Sequence, residues 1–262
     1  MTASPAAALN AQLANAGLDW ILPDWPAPPN VCAFVTTRKG GVSTGPYATM
    51  NLGRNGRDEA MALVENRHRF AAFLPSKPVS LNQVHGAAVA KLSDSPHPVT
   101  PADAAVTREF GVVCSILTAD CLPVLFTDRS GSVAGVAHAG WRGLAAGVLG
   151  ASVNALADLG AGPDQLLAWL GPAIGPAAFE VGADVHSAFC DVDAGAIACF
   201  VPHCDGKWHA DLYGLARRSL ARAGVTSIHG GGYCTYSDSA RFFSYRRERD
   251  SGRMAAAVWL AH

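Results

Sequence analysis

The sequence holds no Cys-x-x-Cys pair and no His-x-His pair anywhere in its 262 residues. The first absence argues against a closed structural zinc site, whose thiolates come in such close pairs. The second argues against a multicopper centre, which needs a large histidine set; nine scattered histidines do not supply one. A long run of one charge is missing too: 20 Lys plus Arg against 21 Asp plus Glu leave a formal net charge of -1. Neither a nucleic-acid track nor a membrane-surface patch is indicated. No stretch approaches the roughly 18 apolar residues of a spanning helix. The opening MTASPAAALNAQLANAGLDW has no basic n-region and no strong apolar core, so it does not read as a secretory leader. The seven cysteines are odd in number and scattered, which disfavours a disulfide framework. The expectation is a soluble protein of a reducing, cytoplasmic compartment.

Apolar residues are plentiful. The chain is 50% hydrophobic and 16% charged, enough for a sizeable core and too apolar for disorder. Strand-like runs occur at Val31 to Thr37, Val79 to Val84, Ala87 to Leu92, Val112 to Leu117 and Val124 to Thr127. Others lie in SVAGVAHAG, LLAWL and the C-terminal RMAAAVWL. Helical spacing marks MALVENRHRFAAFL, with Asp58 as its cap, and WRGLAAGVLGASVNALADLG, with Gly160 as its stop. VGADVHSAFC and DLYGLARRSLARAG also read as helices. Residues 1–17 are Ala-rich and read as a flexible, loosely helical segment, leaving 18–262 as a single domain. Strands and helices mix without strict alternation, and no repeat or clear linker appears, so one mixed α/β domain is expected.

The run TADCLPVLF, Thr118 to Phe126, sets Asp120 beside Cys121 inside what reads as a buried strand. A buried carboxylate is costly unless it is paired. Three segments end strands with a potential ligand: NQVHG with His85, TADC with Cys121 and VAHAGWRG with His138. One thiolate and two imidazoles from three strand ends suit an open catalytic metal site, with a fourth position for water or substrate. Taken singly, each has a plainer reading. A buried Cys is commonly a small hydrophobe, and a strand-end His is commonly just hydrogen-bonded. Their shared position at strand exits, where α/β sites are built, favours the site. HAGWRG also opens a helix with Gly140 and Gly143, where free N–H groups and Arg142 can grip an anion. An ordinary helix start is the plainer alternative. On a regular strand Asp120 points away from Cys121. It can orient a ligand histidine or act as a general acid/base, and the sequence leaves both open. The segment PHCDGKWHAD, with His203, Cys204 and His209, reads as a solvated loop with at most adventitious metal binding.

These motifs, with TTRKGGVSTGPY and NLG upstream and GPAIGP, FFSYRR and GRMAAAVWL downstream, resemble the YfiH/laccase-domain family. That family was first called polyphenol oxidase and is now described as purine nucleoside phosphorylase. The resemblance covers Asn30 to the C-terminus. It implies a single mixed-sheet sandwich with outer helices, in α/β/β/α layers, similar in topology to a Cys–His toxin hydrolase. It implies that His85, Cys121 and His138 bind zinc, with copper possible. It also implies phosphorolysis of adenosine, inosine and 5'-methylthioadenosine, with adenosine deamination. Where family members often carry two cysteines in GPxIGPCCYEVG, this chain has Ala177 and Ala178. The chemistry therefore does not need them, or this chain has lost something.

The functional expectation is a metal-dependent purine nucleoside phosphorylase with Cys121, His85, His138 and Asp120 as catalytic residues. Arg38, Asn51, Gln83, Arg142 and Tyr245 are expected to face the same pocket, the two arginines holding phosphate or ribose. The partners are a small-molecule nucleoside and phosphate, and the protein is a monomer or weak homodimer. The known zinc-deaminase signature is absent, so deamination would use an unrelated site. The alternatives are a Cys–His hydrolase editing peptidoglycan precursors, with Cys121 as nucleophile, a copper phenol oxidase, and a non-enzymatic binding module. One His₂Cys copper carries one electron and cannot alone reduce dioxygen to water.

Overall fold

The computed structural model of the chain describes residues 3–54, 56–79, 81–95 and 101–262. Alternation along the strands builds two face-to-face sheets. The smaller joins β1 (Val31–Val35), β12 (Met254–Leu260) and β4 (Cys114–Thr118) in the order β1-β12-β4, all antiparallel. The larger has the order β11-β7-β5-β6-β3-β2. Its strands are β2 (Val89–Lys91), β3 (Ala104–Thr107), β5 (Leu122–Asp128), β6 (Ala134–Ala139), β7 (Leu166–Leu170) and β11 (Ser227–Gly230). The outer pairs β11–β7 and β3–β2 are parallel and the inner pairs antiparallel, so the sheet is mixed.

Because side chains alternate with period two, each strand feeds two apolar layers. In β12, Met254, Ala256, Val258 and Leu260 face the space between the sheets. Its Ala255, Ala257 and Trp259 face outward, onto Leu9, Leu13 and Phe70 from helices α1 (Pro5–Asn15) and α2 (Ala60–Ala71). In β5, Leu125 joins the inter-sheet layer, while Leu122, Val124 and Phe126 turn to the other face. That face is covered by α4 (Val148–Ala157), α5 (Ala183–Cys190) and α6 (Leu212–Arg222), through Val153, Val185, Phe189, Leu215 and Leu220. The layers therefore run helices, sheet, sheet, helices, as the resemblance implied. A third, small sheet, β8 (Glu180–Val181), β10 (Trp208–Ala210) and β9 (Phe200–Pro202), packs onto the helix layer of α4, α5 and α6 through Val181, Phe200 and Ala210.

Several expectations are corrected. The N-terminal segment contains a helix capped by Ser4, with Leu9 and Leu13 buried against the small sheet, so these residues belong to the packed body. Asp58 does not cap α2; Glu59 holds that position, and Asp58 instead accepts from Ser43 and Asn51. The strand expected at Val79 to Val84 is reduced to one bridge at Asn82, and its Ser80 lies outside the described residues. The long helix after His138 breaks into α3 (Trp141–Ala145) and α4, because Gly147 takes φ 89°, a conformation that glycine adopts without strain. The run TADCLPVLF is not one strand. β4 ends at Thr118 and β5 begins at Leu122, so Ala119, Asp120 and Cys121 carry the chain from the small sheet to the large one.

Candidate functional site

The crossing between the sheets and the end of β6 bring the three expected ligands together. His138 lies in β6 opposite Pro123 of β5 and is 3% exposed. Cys121 closes the crossing and is half-buried. His85 is exposed and sits in a turn at φ 60°, an uncommon conformation outside glycine that its surroundings must hold. Asp103 is the holder. Its Oδ1 accepts from His85 N at 2.9 Å, and its Oδ2 from Val84 N at 3.1 Å and Gly86 N at 2.7 Å. The same Oδ1 lies 2.8 Å from His138 Nδ1, and the Asp103 carbonyl accepts from His138 N at 2.7 Å. One fully buried carboxylate thus sets both histidines. Sequence reasoning missed it. Its only signal was an acid at the mouth of the apolar run AAV, and the β3–β6 register, Ala104 opposite Ala137, is what places it beside His138.

With Nδ1 engaged by Asp103, His138 turns Nε2 toward the thiol, the arrangement that fixes a ligand tautomer. The ligand atoms of His85, Cys121 and His138 all lie within 4.8 Å of one another. Cys121 Sγ is 3.9 Å from His85 Nε2, and the two imidazole centroids are 4.9 Å apart. Burial alone would raise the Cys121 pKa, but His138 and then His85 outweigh it and bring it down to about 6. Burial alone would lower the His138 pKa, but the Cys121 thiolate and Asp103 hold it up at about 9. The thiol is therefore ionised at neutral pH, as metal ligation requires. Space is cleared by glycine: a Cβ on Gly140 would stand 2.8 Å from Cys121 Sγ and 3.1 Å from His85 Cδ2. A Cβ on Gly143 would stand 2.8 Å from the Gly86 carbonyl oxygen. The HAGWRG glycines thus admit the His85 turn and the thiol. The donor set, its preset tautomer and its clearance fit a soft or borderline metal cation.

A model of the family described as multi-copper polyphenol oxidoreductase laccase matches residues 32–261. The chain belongs to this YfiH laccase-domain family. It is 53% identical over 242 residues to a protein of Pseudomonas aeruginosa named purine nucleoside phosphorylase, covering 92% of this chain and 98% of that one. It is 52% identical over 242 residues to YfiH of Escherichia coli, which carries the same enzyme name, with coverage of 92% and 98%. Among solved structures, a Neisseria meningitidis protein of the DUF152 family superposes with a TM-score of 0.87 at 44% identity, over 93% of this chain and all (100%) of that one. YlmD of Geobacillus stearothermophilus gives 0.78 at 32% identity, over 89% and 93%. Among the described residues no helix is long and apolar enough to cross a membrane.

Against this family fold, the other expected residues separate. Asp120, at φ 83°, is not with the donor set. Its carboxylate accepts from Thr235 Oγ1 at 2.6 Å, Ser244 Oγ at 3.0 Å and Arg246 N at 2.7 Å. It ties the C-terminal segment to the sheet crossing and does not orient a ligand histidine; Asp103 does that. Asn51 is 1% exposed and is spent on scaffolding: Oδ1 accepts from Gly53 N and Arg253 N, and Nδ2 donates to Asp58. It does not face a pocket. Gln83 exchanges two hydrogen bonds with the Leu117 backbone, at 2.8 and 2.9 Å, and docks the His85 segment onto β4. Arg38 donates to Ala48 O and Ser239 O and stacks on Phe243, so its guanidinium is committed to the loops it joins. Tyr245 opens α7 (Tyr245–Glu248) and is 49% exposed, with Arg249 and Arg253 near its ring, so it is no core tyrosine. Arg142 is exposed, two residues past Gly140, and stacks on Trp141 with its guanidinium carbon 4.3 Å from the ring centroid. Among the described residues it has no acidic partner, so its charge is available to an anion. Since α3 has only five residues, little helix dipole supports that role.

Proposed function

We propose that the chain is a metal-dependent purine nucleoside phosphorylase acting on adenosine, inosine and 5'-methylthioadenosine, with accompanying adenosine deamination. The observation that carries this reading is the Asp103-braced His85–Cys121–His138 set in a chain about half identical to relatives of that name. Zinc is the metal that best suits one thiolate, two imidazoles and an open fourth position, with copper as the second choice. When bound, it supplies positive charge that polarises the substrate or a water. The residues do the rest. Asp103 keeps His138 Nε2 and the His85 turn aimed at one point. Arg142, exposed two residues past Gly140 and without an acidic partner among the described residues, is the group assigned to hold phosphate by paired N–H bonds. In phosphorolysis a phosphate oxygen bonds to C1' of the ribose as the C1'–N9 bond breaks. The bonding pair leaves with the purine, which takes up a proton. Positioning and charge stabilisation are the protein's contribution.

The test is product analysis of purified protein with adenosine and inosine, with and without phosphate and with and without chelation. Free base and ribose 1-phosphate are expected only when phosphate is present, and chelation is expected to suppress them. Base release at the same rate without phosphate overturns the phosphorylase reading. Inosine from adenosine is the readout for deamination. One observation favours a second reading, the Cys–His hydrolase. Without metal, a Cys121 pKa of about 6, a His138 pKa of about 9 and Asp103 behind the imidazole form a thiolate nucleophile, an imidazolium general acid and the carboxylate that orients it. Metal content separates the two, because a thiolate held by metal is a poor nucleophile. A multicopper oxidase is less supported: among the described residues only two groups of three donors occur, and one is fully on the surface.

A further inference from the structure

Strand β8 and the turn that follows β9 carry the second donor group. Glu180, His203 and Cys204 are all exposed, with one ligand atom each, all within 4.8 Å of one another. His203 Nε2 stands 3.7 Å from Glu180 Oε2. Consecutive residues on a strand point to opposite faces, so His203 and Cys204 would diverge if β9 simply continued. It does not. The chain turns there, with His203 N donating to Lys207 O at 2.8 Å and Lys207 N to Cys204 O at 3.0 Å. Asp205 and Gly206 make the bend at φ 50° and 67°. His209 backs the group from β10. It pairs with Glu180 across β8, and its ring stacks on that of His203 with centroids 4.4 Å apart.

We propose that Glu180, His203 and Cys204 form a second metal site, separate from the His85–Cys121–His138 centre, for a borderline divalent cation of the zinc class. The chemistry of the donors selects the class. One thiolate, one imidazole and one carboxylate are all zinc ligands, and their two negative charges neutralise the ion. With ligand bonds of about 2.0–2.3 Å, a tetrahedral cation brings its donors to a little over 3 Å apart. The Glu180–His203 separation is already near that, and exposed side chains can close the rest without moving backbone. Water takes the fourth position. The site also connects to the first. The Glu180 carbonyl accepts from Arg246 Nη1 at 3.0 Å, and Arg246 N donates to Asp120, the residue before Cys121. An ion there therefore steadies the strand that anchors Arg246.

The test is metal counting on the full chain. Metal-free protein is loaded with Zn²⁺, desalted and assayed by elemental analysis. Loading with Co²⁺ reports thiolate ligation by its charge-transfer absorption. Cys204→Ser and His203→Ala are expected to retain one equivalent fewer than the natural chain, while Cys121→Ser keeps that equivalent. Both surface changes are at exposed positions, and unchanged circular dichroism melting verifies the fold. Retention of the same number of equivalents by Cys204→Ser and the natural chain overturns the proposal.

Discussion

At the scale of single residues, one carboxylate decides how well the ligands are aimed. Asp103 bonds the Nδ1 of His138 and three consecutive backbone N–H groups around His85, so neither histidine is set independently. Asp103→Asn keeps the shape and removes the charge. Zinc affinity, measured by chelator competition, is expected to fall roughly 10–100-fold, the usual cost of losing an outer-shell partner. Unchanged affinity would mean that Asp103 only shapes the turn. The thiol gives a second readout. In metal-free protein the Cys121 pKa lies at about 6 instead of 9.0, and thiolate is the reactive form. Alkylation of Cys121 should therefore rise with pH around a midpoint near 6, already high at neutral pH. His138, with its pKa held up at about 9, loses its proton only at more alkaline pH, so thiolate and imidazolium coexist between those values. In Asp103→Asn the imidazolium is less favoured, and the alkylation midpoint should move upward. A midpoint near 9 in the parent protein would show that the ion pair does not form.

At the scale of elements, the site is a set of close approaches between turns. The NQVHG turn lies against the start of α3, where a Cβ on Gly143 would meet the Gly86 carbonyl at 2.8 Å. A Cβ on Gly140 would meet Cys121 Sγ at the same distance. Backbone cannot give way as a side-chain tip can, so the two substitutions should differ. Gly143→Ala should cost stability on the scale of an overpacked core, about 1–3 kcal/mol by denaturant melting. Gly140→Ala should weaken metal binding more than folding, because it displaces a ligand thiol. The reverse order would contradict this placement. The same elements show what the sequence made legible. His85, Cys121 and His138 stood out because their residue types are rare at strand ends and useful together. β12, β6 and β7 were visible as apolar runs. Asp103 was invisible because its partner is chosen by the β3–β6 register, which no local pattern states. Asp120 was misplaced because Ala119 to Cys121 carry no Gly or Pro to mark the sheet crossing. Asn51 and Arg38 lay in family-like motifs but are consumed by loop scaffolding, and a motif does not say whether a polar side chain turns inward or outward.

At the scale of the whole molecule, the candidate centre lies where the chain passes from one sheet to the other. Cys121 ends that crossing, His138 comes from β6 of the large sheet, and His85 comes from a turn that Gln83 docks onto β4 of the small sheet. An ion bound by all three would link segments far apart in sequence that meet only in the folded state. Such a ligand stabilises the fold by mass action, by about 2.7 kcal/mol when its free concentration is 100 times the dissociation constant. For a chain of this size each kcal/mol moves the melting temperature by roughly 2–4 °C. Adding zinc to metal-free protein should therefore raise Tm by about 5–10 °C, and a chelator should reverse the change. Cys121→Ser should abolish most of the shift, since the soft ligand is lost and two histidines remain. Cys204→Ser should leave most of it in place, because its exposed donors, Glu180 of β8 and His203 and Cys204 of the turn after β9, do not span the seam between the two face-to-face sheets. A shift that survives in Cys121→Ser, or one that vanishes in Cys204→Ser, would place the stabilising ion at the surface site and not at the seam.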